Sequence, residues 1–181
     1  MRRSFAVVPP GKATWVTLLV AGAIVPLTIL VLVMAFSEGR LLTSLRLPHL
    51  VALGVMLTAV GLAWLALRRL HVDIVGQTLV VRGAFYTRTV PLQNLDGAAA
   101  RIFDLERESE WRPRLRMNGV DLPGVHIGHY RGHPLKRKLF CLLTSKRRVL
   151  LLSQRDGEHF LLLSLQRPQA LIQALDQIQP S

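Results

Sequence analysis

Cysteine is nearly absent from this chain: Cys141 is the single one in 181 residues. That excludes an internal disulfide framework, and its apolar setting (LFCLLT) reads as a small buried hydrophobe, not a reactive thiol. Acidic residues are also scarce, 11 against 23 Lys and Arg, for a formal charge of +12. Such a balance invites an anionic partner, yet nucleic acid fits poorly. Seven of the basic residues flank two apolar runs, and residues 70–181 hold 16 basic against 10 acidic, a net of +6. Phe and Tyr are not interleaved with the basic cluster, as a base-stacking surface requires. The sequence has no nucleophile elbow, no phosphate-cradling glycine loop and no paired metal-ligand motif. It therefore reads as non-enzymatic, with no cofactor, no metal and no small-molecule substrate.

Charge is missing altogether from two long stretches. Residues 14–36 (TWVTLLVAGAIVPLTILVLVMAF) carry none in 23 positions, and residues 47–67 (LPHLVALGVMLTAVGLAWLAL) none in 21, with only His49 near one end. At about 1.5 Å per residue a helix of this length covers roughly 30–35 Å, the thickness of a bilayer core. A backbone in lipid must satisfy its own hydrogen bonds, so both runs are expected as helices, with a kink at Pro26. A cleaved signal peptide is the competing reading of the first run, given Arg2, Arg3 and Lys12 before it and Ala35-Phe36-Ser37 at its end. The run exceeds the usual h-region of about 7–15 residues, however, and a second one follows shortly after. The expected order is a basic flank at 1–13, spans at 14–36 and 47–67, an external loop at 37–46 and a domain at 70–181. Basic residues gather before the first span and directly after the second, at Arg68 and Arg69, which puts both termini on the cytoplasmic side.

Beyond Leu70 the texture becomes short apolar runs separated by turn residues. HVDIV (71–75) and TLVVRG (78–83) flank Gly76-Gln77 as a strand pair, and AFYTRTV (84–90) is a third strand. AAARIFDL (98–105) is ambiguous between strand and helix. The stretch 106–116 is polar, and Asp104, Glu106, Glu108 and Glu110 alternate with Leu105, Arg107 and Ser109 as one face of an exposed strand or loop. KLFCLLT (138–144), RVLLLSQ (148–154) and HFLLLSL (159–165) have strand length, and Asp156-Gly157 is a hairpin turn between the last two. Pro168 opens a helix whose Leu171, Ile172, Leu175 and Ile178 form one apolar stripe, and Pro180 ends it.

Within this order, Asn118-Gly119-Val120-Asp121-Leu122-Pro123-Gly124, with Gly128 and Tyr130, resembles the Gly-x-x-Leu-Pro-Gly-x-x-x-Gly signature of bacterial pleckstrin-homology (PH-like) domains that follow a pair of membrane helices. Ser164 and Pro168 with the helix behind them are similar to that family's closing element, although Arg167 stands where many relatives have an acidic residue. The resemblance covers about residues 70–178. It implies a membrane helical hairpin plus an α+β, mainly-β PH-like small barrel closed by a C-terminal α-helix, in a bacterial inner membrane. It is silent on the ligand. Read from the residues alone, Leu122-Pro123-Gly124 is turn chemistry with Gly124 at positive φ, and Gly119 and Gly128 permit close backbone approach.

The candidate lipid-contacting residues are Arg68, Arg69, Lys136, Arg137, Lys138, Lys146, Arg147 and Arg148. Each basic side chain close to an anionic bilayer contributes about 1 kcal/mol, fading within roughly 8–10 Å. If 138–144 and 148–154 pair as a hairpin, residues 136–138 and 146–147 fall at its opposite ends. His126, His129 and His133 are dense enough to suggest a metal, but their spacing matches no standard ligand frame. The expected function is a membrane-anchored binding module that contacts lipid headgroups, a protein partner or a second copy. The alternative is a scaffold subunit acting through its spans, where Gly54, Ala59, Gly61, Ala63 and Ala66 permit close helix approach.

Overall fold

The computed structural model of the chain describes residues 2–36, 47–132 and 137–178. Both apolar runs are helical: α1 (Lys12–Leu19) and α2 (Val25–Phe36) flank a π-helical turn at Val20–Ile24, and α3 is Leu47–Arg68. The ring of Pro26 would collide with the carbonyl four residues back, that of Gly22, and the wider π turn at this point accommodates it. The expected kink thus takes the form of a π bulge. Both helices are long and apolar enough to cross a membrane, and their spanning windows are only 6% and 11% buried, unlike core helices of a globular domain. They meet at Gly22, where a Cβ would run into the Val60 side chain. Gly54 and Gly61 have open space at that position among the described residues. The loop 37–46 lies outside the described residues.

Four strands make an antiparallel sheet in chain order: β1 (Arg2–Ala6), β2 (His71–Val75), β3 (Thr78–Gly83) and β4 (Tyr86–Pro91). β2 and β3 have the expected bounds and turn at Gly76, φ 60°. The third strand starts two residues later than its pattern suggests, because Ala84 (φ 40°) and Phe85 form the turn. β1 departs from the reading of residues 1–13 as a mere flank: Arg2–Ala6 pair residue for residue with Val75–His71. Val7 continues to a bridge with Leu165, so the N-terminal segment is part of the domain that follows the helices.

The second sheet has six strands: β5 (Leu95–Phe103), β6 (Leu115–Leu122), β7 (Val125–Arg131), β8 (Lys138–Leu143), β9 (Val149–Gln154) and β10 (His159–Leu163). Their spatial order is β5-β9-β10-β8-β7-β6. β5 resolves the ambiguous 98–105 stretch as strand. β8 and β9 do not pair with each other, contrary to the hairpin reading. β10 lies between them, antiparallel to β9 through the Asp156-Gly157 turn and parallel to β8. Such a parallel pair needs a crossover, and β9 supplies it.

This order explains the unbroken apolar runs. One face of β8, β9 and β10 packs toward the first sheet and α4 (Pro168–Ile178), with Phe140, Leu142, Leu150, Leu152 and Leu161 in that core. The other face holds Cys141, Leu143, Leu151 and Leu162 beneath Trp111. A strand buried on both faces has no polar alternation to display. The cover over this second face is the segment 104–114, which is a turn and a 3₁₀ turn (Ser109–Trp111) and not an acidic strand face. Arg112 staples it by donating to the carbonyls of Leu105 and Glu106, and Arg101 pairs with Glu108 at 2.8 Å.

The domain is mainly β with a closing C-terminal helix, but the sheets do not close into a barrel. Gly83 of the first sheet lies against Ile127 and Leu142 of the second, leaving no room for a Cβ. At the side where closure would join β4 to β6, the strands meet through the Tyr86 hydroxyl donating to Asn118 at 2.8 Å. In α4, Leu171, Ala174 and Leu175 are buried, Ile172 is partly covered, and Ile178 is exposed.

Candidate functional site

The domain has two ends, set by how the helices join it. Ala66 and Leu67 at the end of α3 are already buried, and β2 begins at His71. Thr14, fully buried in α1, donates its hydroxyl to the Pro123 carbonyl at 2.8 Å. Leu122-Pro123-Gly124-Val125 is therefore the tight turn of the β6–β7 hairpin, seated on the start of α1, with Gly124 at φ 82° as a type II turn demands. Further along, Gly119 and Gly128 are register partners, Gly128 at φ 125°, and a Cβ on either would strike the opposite backbone. The Leu122-Pro123-Gly124 turn docks the domain on α1.

At this helix-bearing end the basic residues collect. Arg68 lies 3.6 Å above the Trp64 ring, a pairing of cation and amphipathic aromatic suited to a bilayer interface. Arg69 lines a hollow of about 350 Å³ on the outer face of the first sheet, together with His71, Arg82 and Tyr86. Buried Asp73 forms part of its lining, so two guanidiniums stand there against one carboxylate. Arg82 is the residue that sequence reasoning missed. Its signal was the register of the β2–β3 hairpin, which sets Arg82 opposite His71 and hence beside Arg69.

Lys146, Arg147 and Arg148, all exposed, lie on the link from β8 to β9. Thr144 donates to the Val8 carbonyl and the Ser164 hydroxyl to the Ser145 carbonyl, which brings this link to the same end. Arg148 (φ 53°) is tied to Gln169 at 3.2 Å in the first turn of α4.

Arg137 and Lys138 are at the opposite end of β8. Arg137 stacks over Trp111 at 4.5 Å, helping hold the cover on the second core, and Lys138 pairs with Glu158 at 3.3 Å. Lys136 and His133 lie outside the described residues. The structure thus groups Arg68 and Arg69 with Lys146, Arg147 and Arg148 at one end, and sets Arg137 and Lys138 apart from them.

The two described histidines of the 126–133 cluster occupy opposite faces of β7. His126 bonds Asp121 at 2.6 Å, and Asp121 also accepts from the Tyr130 hydroxyl at 2.7 Å. Burial raises the Asp121 pKa, but the hydrogen bonds from Tyr130 and His126 together with the charges of His126 and Arg116 outweigh it and lower the carboxyl below its ordinary value. Burial, then Asp121, keeps Tyr130 protonated well above the ordinary phenol value. On the other face, His129 sits edge-on to Tyr86 and Phe140, and burial followed by the Arg88 charge lowers its pKa. Cys141, wholly buried, has its thiol pKa pushed far up by burial, as suits an inert core residue. Among the described residues no group of three His, Cys, Asp or Glu converges as a metal site.

With this geometry in hand, comparisons with protein-family models, curated proteins and solved structures find no match for the chain.

Proposed function

We propose that the chain is a non-enzymatic binding module of the bacterial PH-like kind, anchored in the inner membrane by its two helices. Its domain and both termini lie on the cytoplasmic face, where the helix-bearing end contacts anionic lipid headgroups and holds a partner protein against them. The observation that carries this reading is the short distance from helix to domain: α3 ends at Arg68, its Leu67 is already in the domain core, and the Arg69–His71–Arg82 hollow follows at once. Charges held rigidly at a helix exit do not lose the conformational entropy that flexible basic tails lose on docking. The pairing of β1 with β2 supports a common side for both termini, since the strands flank the helix pair in sequence and share one ladder.

The full-length protein in nanodiscs, with and without anionic lipid, tests the lipid arm by hydrogen exchange. Anionic lipid is expected to slow exchange around Arg69–His71 and Arg82, and identical exchange in the two discs sinks it.

A scaffold role for the helices is favoured by a separate observation: Gly54 and Gly61 on α3 have open space at their Cβ positions. Small residues unpartnered within a chain suit close packing by another helix. Crosslinkers placed at Gly54 and Gly61 in native membranes are expected to capture a second membrane protein or a second copy. Adducts to lipid alone count against it.

A further inference from the structure

Between the two sheets, at the end remote from the helices, lies a cleft of about 190 Å³ that the lipid reading does not use. Arg88 reaches it from β4, Arg131 from β7 and Lys138 from β8, and no Asp or Glu lines it. Lys138 is shared with Glu158 outside the cleft, whereas Arg88 and Arg131 have no carboxylate partner among the described residues. Of the other walls, Phe140 and His129 lie edge to face with centroids 5.0 Å apart, Gln154 is almost fully buried, and His159 is held by Asp156 at 2.6 Å. His129 favours its neutral form here, so it offers a hydrogen bond without adding charge.

We propose that this cleft binds a small soluble organic anion, a carboxylate on a flat apolar body, with the carboxylate held by Arg88 and Arg131 and the body against Phe140 and His129. Three features select that class. Guanidiniums present paired donors that match a carboxylate, and two of them without acid partners create an unmet charge. The aromatic floor suits a planar apolar group better than a hydrated ion or a sugar. The volume falls below the roughly 300–1,000 Å³ of drug-sized sites, so the ligand is fragment-sized. Position argues for an aqueous source. β7 runs from the turn seated on Thr14 to Arg131 at the cleft, about 20 Å at roughly 3.3 Å per residue. The inference stands whether or not the helix-bearing end contacts lipid.

The test uses full-length protein in detergent and a pair of probes, benzoate and its neutral counterpart benzyl alcohol, followed by saturation-transfer NMR titration. Benzoate is expected to bind at least about tenfold more tightly than the alcohol, an advantage of roughly 1.4 kcal/mol from the charge. Arg88→Gln should abolish that preference, and Arg88→Lys should keep part of it; an unchanged thermal midpoint shows that each variant is folded. The paired change Arg69→Gln with Arg82→Gln, at the other end, should leave it intact. Equal binding of the two probes, binding of neither, a preference surviving Arg88→Gln, or one lost only with the Arg69 and Arg82 changes would each overturn the proposal.

Discussion

The two ends of the domain both carry cations but dispose them differently. At the helix-bearing end the basic groups project outward, from Arg68 and Arg69 across to Lys146 and Arg147, with backbone contacts beneath them fixing the domain to α1 and α3. At the remote end Arg88, Arg131 and Lys138 stand around the mouth of one cleft between the sheets, and Arg137 lies over Trp111. A flat outward array suits an extended anionic surface, where each charge acts separately. Cations grouped around one cleft with an aromatic floor suit one compact anion. Net charge alone, +12 for the chain, hides that division.

The comparison can be broken or sharpened by substitution. The largest effect is expected from Gly128→Val, which places a branched side chain at φ 125° against the Asn118 carbonyl. It should cost at least about 3 kcal/mol, uncouple β6 from β7 and disturb both ends together, seen as a lower thermal midpoint and early proteolysis. Next is the double change Arg69→Gln and Arg82→Gln, which should remove about 2 kcal/mol of attraction to anionic nanodiscs. Arg137→Gln with Lys138→Gln should leave that attraction unchanged; equal losses for the two pairs would erase the distinction between the ends. Thr14→Val removes the bond to the Pro123 carbonyl and should cost about 1 kcal/mol, with faster exchange at Val125 and none of that change at Lys138.

The smallest effect concerns pH. The pKa of His129 is lowered in the folded protein, so below the ordinary value of 6.5 the unfolded chain takes up a proton that the folded chain resists. Stability should therefore fall as pH drops from 6.5 toward the lower folded value, and His129→Gln should flatten that part of the profile in thermal denaturation.

What could be read from the residues divides along contact distance. The helices, the 71–83 hairpin, the Asp156-Gly157 turn and the final helix rest on neighbours a few positions apart, and local pattern revealed them. Non-local pairing did not show itself. Nothing in RVLLLSQ or HFLLLSL says that β10 inserts between β8 and β9, because strands buried on both faces look alike. Arg2–Ala6 reads as a basic flank, since its partner lies beyond two helices. The near-end site was half legible. Arg68 and Arg69 adjoin a long apolar run, but Arg82 reaches them through strand register, and the cleft at Arg88 requires residues from six strands.

The β1–β2 ladder has a consequence for the order of events during synthesis. Arg2–Ala6 emerge before both apolar helices, yet their partners His71–Val75 emerge only after those helices have been made. Until then β1 is a short basic segment without a sheet, and once β2–β4 have formed, β2 waits as an unprotected edge. The ladder can be completed only when the helix pair has doubled back and brought Lys12 and Arg68 to one side. Sheet completion thus reports on helix placement, and a chain whose helices are misplaced keeps an exposed strand edge by which it can be recognised.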